Sequence, residues 1–124
     1  MKINTKAKNI TISAETSDYL VKKLAILDKI VNDDEMLCEV ELGRESMHHA
    51  NGDVFRAEIN CSSKGKNYFT VATEQSLHGA IDIMKDELLR EIKSYKSRQK
   101  TLLRRGGAKI KNILKGLYPF KKSR

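Results

Sequence analysis

What this 124-residue chain lacks narrows its reading first. No apolar run approaches the roughly 20 residues needed to span a bilayer. The basic start Met1-Lys2 leads into short alternations of polar and apolar residues, unlike a signal segment, so the chain is expected in the cytoplasm and off the membrane. Tryptophan is absent and cysteine occurs only twice. Cys38 and Cys61 sit inside apolar alternations without C-x-x-C spacing, which suits small buried hydrophobes better than a disulfide or a metal pair. There is no nucleophile elbow and no glycine-rich phosphate loop; Gly43 and the later glycines stand at turns and hinges. His48-His49, near Glu45, lacks the i,i+4 spacing of a helical metal site. Neither catalysis, a metal, a cofactor nor a small-molecule substrate is expected.

Acid is missing from one end of the chain. Residues 98–124 hold ten of the 24 Lys and Arg and none of the 16 Asp and Glu, which leaves 14 bases against 16 acids in residues 1–97. The body is thus near −2 and the tail +10, although the formal total is +8. Such segregation favours a polyanion met by one end of the molecule, and nucleic acid is the commonest such partner. The remaining composition, 40% hydrophobic and 32% charged, is that of one ordinary globular domain with a modest core.

One stretch organises the rest. Over residues 76–105, Leu77, Ile81, Met84, Leu88, Ile92 and Tyr95 recur at steps of four and three, a period that fits a helix and no strand. At 100° per residue they fall within about 80° of arc, a stripe able to lie flat on a sheet or another helix. Lys85, Lys93, Lys96 and Lys100 gather on one flank, Glu87 and Glu91 on the other, and Asp86 is placed to pair with Arg90 at i,i+4. The helix ends in Arg104 and Arg105, so its C-terminal part is almost wholly basic.

Ahead of it, residues 2–5 alternate around Ile3 and predict a first strand, followed by a polar break at residues 6–9. Ser13 is a good N-cap, with Glu15 and Asp18 in the first turns, and Leu20, Leu24, Leu27 and Val31 predict a helix over 14–31 that carries Lys22 and Lys29 outward. Three strands are then predicted, over 36–42, 55–61 and 68–73, the first two alternating cleanly between apolar and polar residues. Asn51-Gly52 and Gly65 mark their connections as hairpins. Of Tyr68 and Phe69, one must face the core, and Cys38 and Cys61 are candidates for cross-strand neighbours. The order strand, helix, three strands, helix suggests an α+β fold, β-α-β-β-β-α, with a four-stranded sheet carrying both helices on one face.

Gly106-Gly107 is the clearest hinge in the sequence. Beyond it Ile110, Ile113, Leu114 and Leu117 recur at helical spacing among lysines, a segment expected to be disordered alone and helical on a partner. The chain therefore divides into a domain over 1–97 and a basic helix extension with a flexible tail over 98–124.

At this point a family resemblance is visible. The opening Met1-Lys2-Ile3-Asn4, then Asn9-Ile10-Thr11-Ile12-Ser13, and Tyr19 with Lys22-Lys23-Leu24 resemble the ribosome hibernation factors, the family of hibernation-promoting factor and ribosome-associated inhibitor A. In the second helix Ala80-Ile81-Asp82, Asp86, Leu88, Arg90 and Tyr95-Lys96 fall in register with that family's Ala-Ile-Asp and Leu-Glu-Arg pattern. Departures are His78 where the family usually has tyrosine, Gly79 where alanine is common, and Glu87 and Leu89 where Lys and Glu usually bracket the leucine. The resemblance covers roughly residues 1–97 and is to the family's short form. It implies a double-stranded-RNA-binding-like fold that occupies the small ribosomal subunit near the decoding centre, where messenger and transfer RNA would bind, and silences idle ribosomes without catalysis. The protein is expected to be monomeric off the ribosome.

Independently of the resemblance, Lys and Arg on exposed helix flanks neutralise phosphates and position a protein on RNA without reading bases. The residues singled out for RNA contact are Lys22 and Lys29 on the first helix, Lys85, Arg90, Lys93, Lys96 and Lys100 on the second, and Arg104 and Arg105 at its end. Lys23 matches the family but borders the apolar stripe and ranks lower. Two other readings stay open: a general RNA- or DNA-binding module without ribosome preference, and a protein-interaction domain whose basic tail docks on an acidic partner or membrane.

Overall fold

The computed structural model describes residues 1–46 and 52–112, with the backbone alone at Ser46, Asp53 and residues 105–112. Its elements run β1 (Lys2–Lys8), α1 (Ala14–Leu24), α2 (Ile26–Val31), β2 (Leu37–Ser46), β3 (Asp53–Ser63), β4 (Lys66–Glu74) and α3 (Leu77–Asn112). The strands form one sheet in the order β1-β2-β3-β4. β1 lies parallel to β2, reached through the helical crossover, while the two later pairs are antiparallel hairpins. This is the expected α+β arrangement.

Alternation along the strands explains which face the helices cover. Cys38, Val40 and Leu42 of β2, Ala57, Ile59 and Cys61 of β3, and Tyr68, Thr70 and Ala72 of β4 are all buried. Their neighbours Glu39, Asn60, Phe69 and Val71 point to the open side. Tyr68 is 6% exposed and Phe69 50%, so the tyrosine is the one that enters the core. On the open face Glu41 lies directly opposite Glu58, a repulsive cross-strand pair that Arg56 offsets at 3.8 Å from Glu41 and 2.7 Å from Glu58.

α3 covers β3 and β4 with the predicted stripe: Ile81, Met84, Leu88 and Ile92 are fully buried, and Leu77 and Tyr95 pack at its margins. Burying each such side chain contributes about 1.5–3 kcal/mol before entropy is counted. Ser76 caps the helix, accepting the Gly79 N–H on Oγ at 3.0 Å. Inside the interface Thr70 Oγ1 donates to the Met84 carbonyl at 3.0 Å, tying β4 to α3.

β2 continues through Gly43, expected at a turn, to Ser46, and β3 begins at Asp53, because the ladder between them runs on to the pair Ser46–Asp53. Further differences from expectation also have local reasons. The single helix over 14–31 is two, because the Asp28 N–H bonds the Ala25 carbonyl three residues back at 3.2 Å, one tight step that redirects the chain while keeping Leu24 and Leu27 buried. Asn32, in the left-handed region at φ 53°, then closes α2. β1 runs on to Lys8 through the polar stretch, since its register with β2 continues to the pair Lys8–Gly43 and an edge strand can turn polar side chains to water. The β3–β4 connection is only Lys64-Gly65, both at positive φ (50° and 80°), the geometry of a two-residue hairpin. Lastly, α3 passes through Gly106-Gly107 to Asn112. Glycine keeps both backbone hydrogen-bonding groups, so the pair weakens the helix by about 1 kcal/mol per residue without breaking it. The tail beyond Asn112, with Ile113, Leu114 and Leu117, lies outside the described residues.

Candidate nucleic-acid interface

Two seams position the cations. The first joins α1 to α3. Ser13 caps α1 by accepting the Thr16 N–H at 3.1 Å, and Thr16 Oγ1 lies 3.2 Å from His78 Nε2 on α3. The Tyr19 and His78 rings stack, with centroids 4.1 Å apart and planes 9° from parallel. The Tyr19 hydroxyl donates to Asp82 at 2.6 Å, which raises the Tyr19 pKa, first through that hydrogen bond and then through desolvation. Lys23 Nζ is 3.5 Å from Asp82 and 5.3 Å from the centre of the Tyr19 ring. Lys23 is thus engaged in the seam, in keeping with its position at the border of the apolar stripe.

The second seam joins α2 to α3. Lys96 Nζ donates to the Ile30 carbonyl near the C-terminal end of α2, where carbonyls lack partners within the helix. Lys96 therefore also has a structural task, which the sequence reading did not foresee.

The other singled-out residues fall as follows. Lys22 and Lys29 are exposed on α1 and α2, and Lys93, Lys100 and Arg104 are exposed on α3. Arg105 lies in the helical backbone of α3, and its side chain is outside the described set. Lys85, with 18% of its side chain exposed, pairs with Asp86 at 2.7 Å, and this bond lowers the Asp86 pKa. Asp86 pairs most directly with its sequence neighbour Lys85, while Arg90, one turn on, adds a weaker favourable charge interaction and also lines a cleft beside β4.

Arg90 belongs to a cleft that sequence reasoning missed. Lys66, Tyr68, Arg90, Glu91, Ser94, Tyr95 and Arg98 line an open cavity of about 310 Å³ between the start of β4 and the middle of α3. Lys66 Nζ sits 5.6 Å from the Tyr68 ring centre and 5.0 Å from that of Tyr95, and the two rings meet edge to face with centroids 6.1 Å apart. Arg98 is steadied by Ser94 Oγ at 3.0 Å. Three cations thus converge against one acid, Glu91. The signal in the sequence was Lys66 beside a strand tyrosine together with an Arg pair eight residues apart, and only the packing of β4 on α3 joins them. The basic residues of α3 accordingly divide, Lys85 and Lys96 lying beside α1 and α2 and Arg90 with Arg98 facing β4.

Among the described residues no group of three or more His, Cys, Asp or Glu is placed to hold a metal ion. His48 and His49 lie outside those residues. No described helix is long and apolar enough to cross a membrane.

A mixed four-stranded sheet backed by helices whose outer surfaces are rich in Lys and Arg defines the class: a small α+β module with a basic helical side. The chain belongs to the family described as Sigma 54 modulation protein / S30EA ribosomal protein, whose profile matches residues 3–100. It is 28% identical over 103 residues to the ribosome hibernation promotion factor of Lactococcus lactis subsp. cremoris, covering 79% of this chain and 51% of that protein. The chain spans about half the length of that relative. It is also 25% identical over 113 residues to the ribosome hibernation promoting factor of Pseudomonas putida, covering 88% of this chain and all of that one. Among solved structures, the N-terminal domain of Thermus thermophilus Protein Y superposes with a TM-score of 0.64 at 27% identity, over 77% of this chain and 99% of that one. A ribosomal subunit interface protein from Coxiella burnetii shares the fold, with a TM-score of 0.62 at 17% identity.

Proposed function

We propose that this protein is a cytoplasmic ribosome hibernation factor. It binds the rRNA of the small subunit near the decoding centre, occupies space that messenger and transfer RNA need, and so silences idle ribosomes without catalysis. The observation that carries this reading is the family match across residues 3–100, which takes in nearly all of the sheet, α1, α2 and α3 as far as Lys100. The names of the Lactococcus and Pseudomonas relatives support the ribosome as target. The chemistry agrees: Lys22, Lys29, Lys93, Lys100 and Arg104 on helix surfaces, with the Lys66-Arg90-Arg98 cleft, suit phosphate contacts that depend on the shape of a folded RNA. Arg105, Lys85 and Lys96 complete the proposed set, the last two sharing contact with a structural role.

Co-sedimentation of the full chain with small subunits, large subunits and whole ribosomes tests the proposal. Saturable one-to-one binding to small subunits, blocked by prebound messenger and initiator transfer RNA, is the expected result. Equal, non-saturating binding to any RNA would leave a general polyanion binder. Binding that persists in high salt would favour a protein partner, since phosphate contacts weaken steeply with salt.

A further inference from the structure

Cys38 and Cys61 take no part in the proposed RNA contacts, yet the sheet brings them together with unusual directness. They are register partners on β2 and β3, in a cross-sheet row that runs Ile3, Cys38, Cys61, Tyr68. Both are fully buried free thiols, and their Sγ atoms lie 2.7 Å apart. Directly opposed residues of an antiparallel pair have Cα atoms about 4.5–5.5 Å apart. That lies inside the roughly 4.4–6.8 Å that a disulfide accepts, so the spacing of paired strands permits a bridge. No other cysteine exists to compete as a partner within the chain.

We propose that Cys38 and Cys61 form a reversible intramolecular disulfide across β2 and β3 when the protein meets a peroxide or another two-electron thiol oxidant. With a peroxide, one cysteine thiolate attacks an oxygen of the O–O bond, giving a sulfenic acid and releasing hydroxide, which takes up the thiol's proton as water. The second sulfur then attacks the sulfenic sulfur, the S–S bond forms, and the sulfenic oxygen leaves as a second water. Two thiols lose two electrons and the peroxide gains them. Either sulfur can attack and the other resolve, because either can donate the hydrogen bond between them. Because both sulfurs are buried, the reaction waits on local opening of this end of the sheet and is slower than at an exposed thiol. Once made, the bond closes a loop between positions 23 apart in sequence and restrains the unfolded chain.

The test uses the reduced full-length chain, exposed under native conditions to hydrogen peroxide or diamide, then denatured, alkylated with N-ethylmaleimide and weighed intact. The expected product is a monomer lighter by two hydrogens, carrying no maleimide, with a Cys38–Cys61 linked peptide on digestion. Its apparent Tm should rise by roughly 10 °C and return on reduction with dithiothreitol. Three results would overturn the proposal: two maleimide adducts on the native chain when the urea-unfolded chain cross-links under the same oxidant; disulfide-linked dimers as the main product; or a sulfinic or sulfonic acid in place of the bridge. In Cys38→Ala and in Cys61→Ala the remaining cysteine should stop at a sulfenic acid that dimedone traps. Its absence from both variants would overturn the sulfenic acid route.

Discussion

Replacing Lys66, Arg90 and Arg98 together by glutamine removes the three cations of the cleft between β4 and α3 while leaving the buried stripe of α3 intact. If each neutralises one phosphate, each contributes about 0.7–0.9 to the slope of log K against log salt, so the triple variant should lose about 2–2.7 from that slope. At roughly 0.1 M salt this corresponds to a loss of affinity of about 100- to 500-fold. The assay is binding of labelled protein to small subunits across a salt series, with circular dichroism confirming the fold. Parallel salt plots for the variant and the parent, with affinities within about threefold, would refute phosphate contact at the cleft. Glu91 faces the same cavity, so Glu91→Gln should tighten binding at low salt.

Lys96→Met provides the contrast. Its ammonium caps the Ile30 carbonyl, so the expected loss is about 0.5–1.5 kcal/mol of stability in a urea titration, beyond any change in the salt slope. Leu88→Ala, at a fully buried position under α3, should cost about 2–5 kcal/mol by the same measurement. Thr70→Val removes the buried hydroxyl that bonds the Met84 carbonyl and should cost about 1 kcal/mol. Tyr19 and Tyr68 both have raised pKa values, the first mainly through its bond to Asp82 and the second, at about 12, through burial. A raised folded value means that their contribution is complete below the unfolded value near about 10 and is lost as pH rises through the folded values. Thermal melts should therefore weaken between about pH 10 and 12, and Tyr19→Phe should remove part of that alkaline dependence.

Much of the architecture was legible because burial imposes periods. The stripe from Leu77 to Tyr95 could serve only a helix, and its members are the residues buried on the sheet. The alternation at Cys38, Val40 and Leu42 correctly separated the covered face from the open one. Boundaries were less legible where hydrogen-bond pairing overrides side-chain character. β1 extends through Lys6 and Lys8 because β2 offers partners, and the break at Ala25 is a backbone event with no residue type to announce it. The cations were visible as a set, but their tasks were not. Nothing in the local sequence separates Lys93, exposed on α3, from Lys96, bonded to α2, or predicts that Lys66 would meet Arg90 and Arg98 across two elements.

The sequence by itself determined the class of fold, the family and the presence of a basic helical side, because these depend on periodicity, charge counts and residue order along one chain. Only the tertiary structure decided which cations stand exposed and which cap a helix or join a seam, and that the two cysteines expected as cross-strand neighbours bring their sulfurs within 2.7 Å. The physical reason is the same in each case: periodicity assigns a residue to a face, but its partners come from whichever element packs on that face, and chain order does not specify the distance between side chains on different elements.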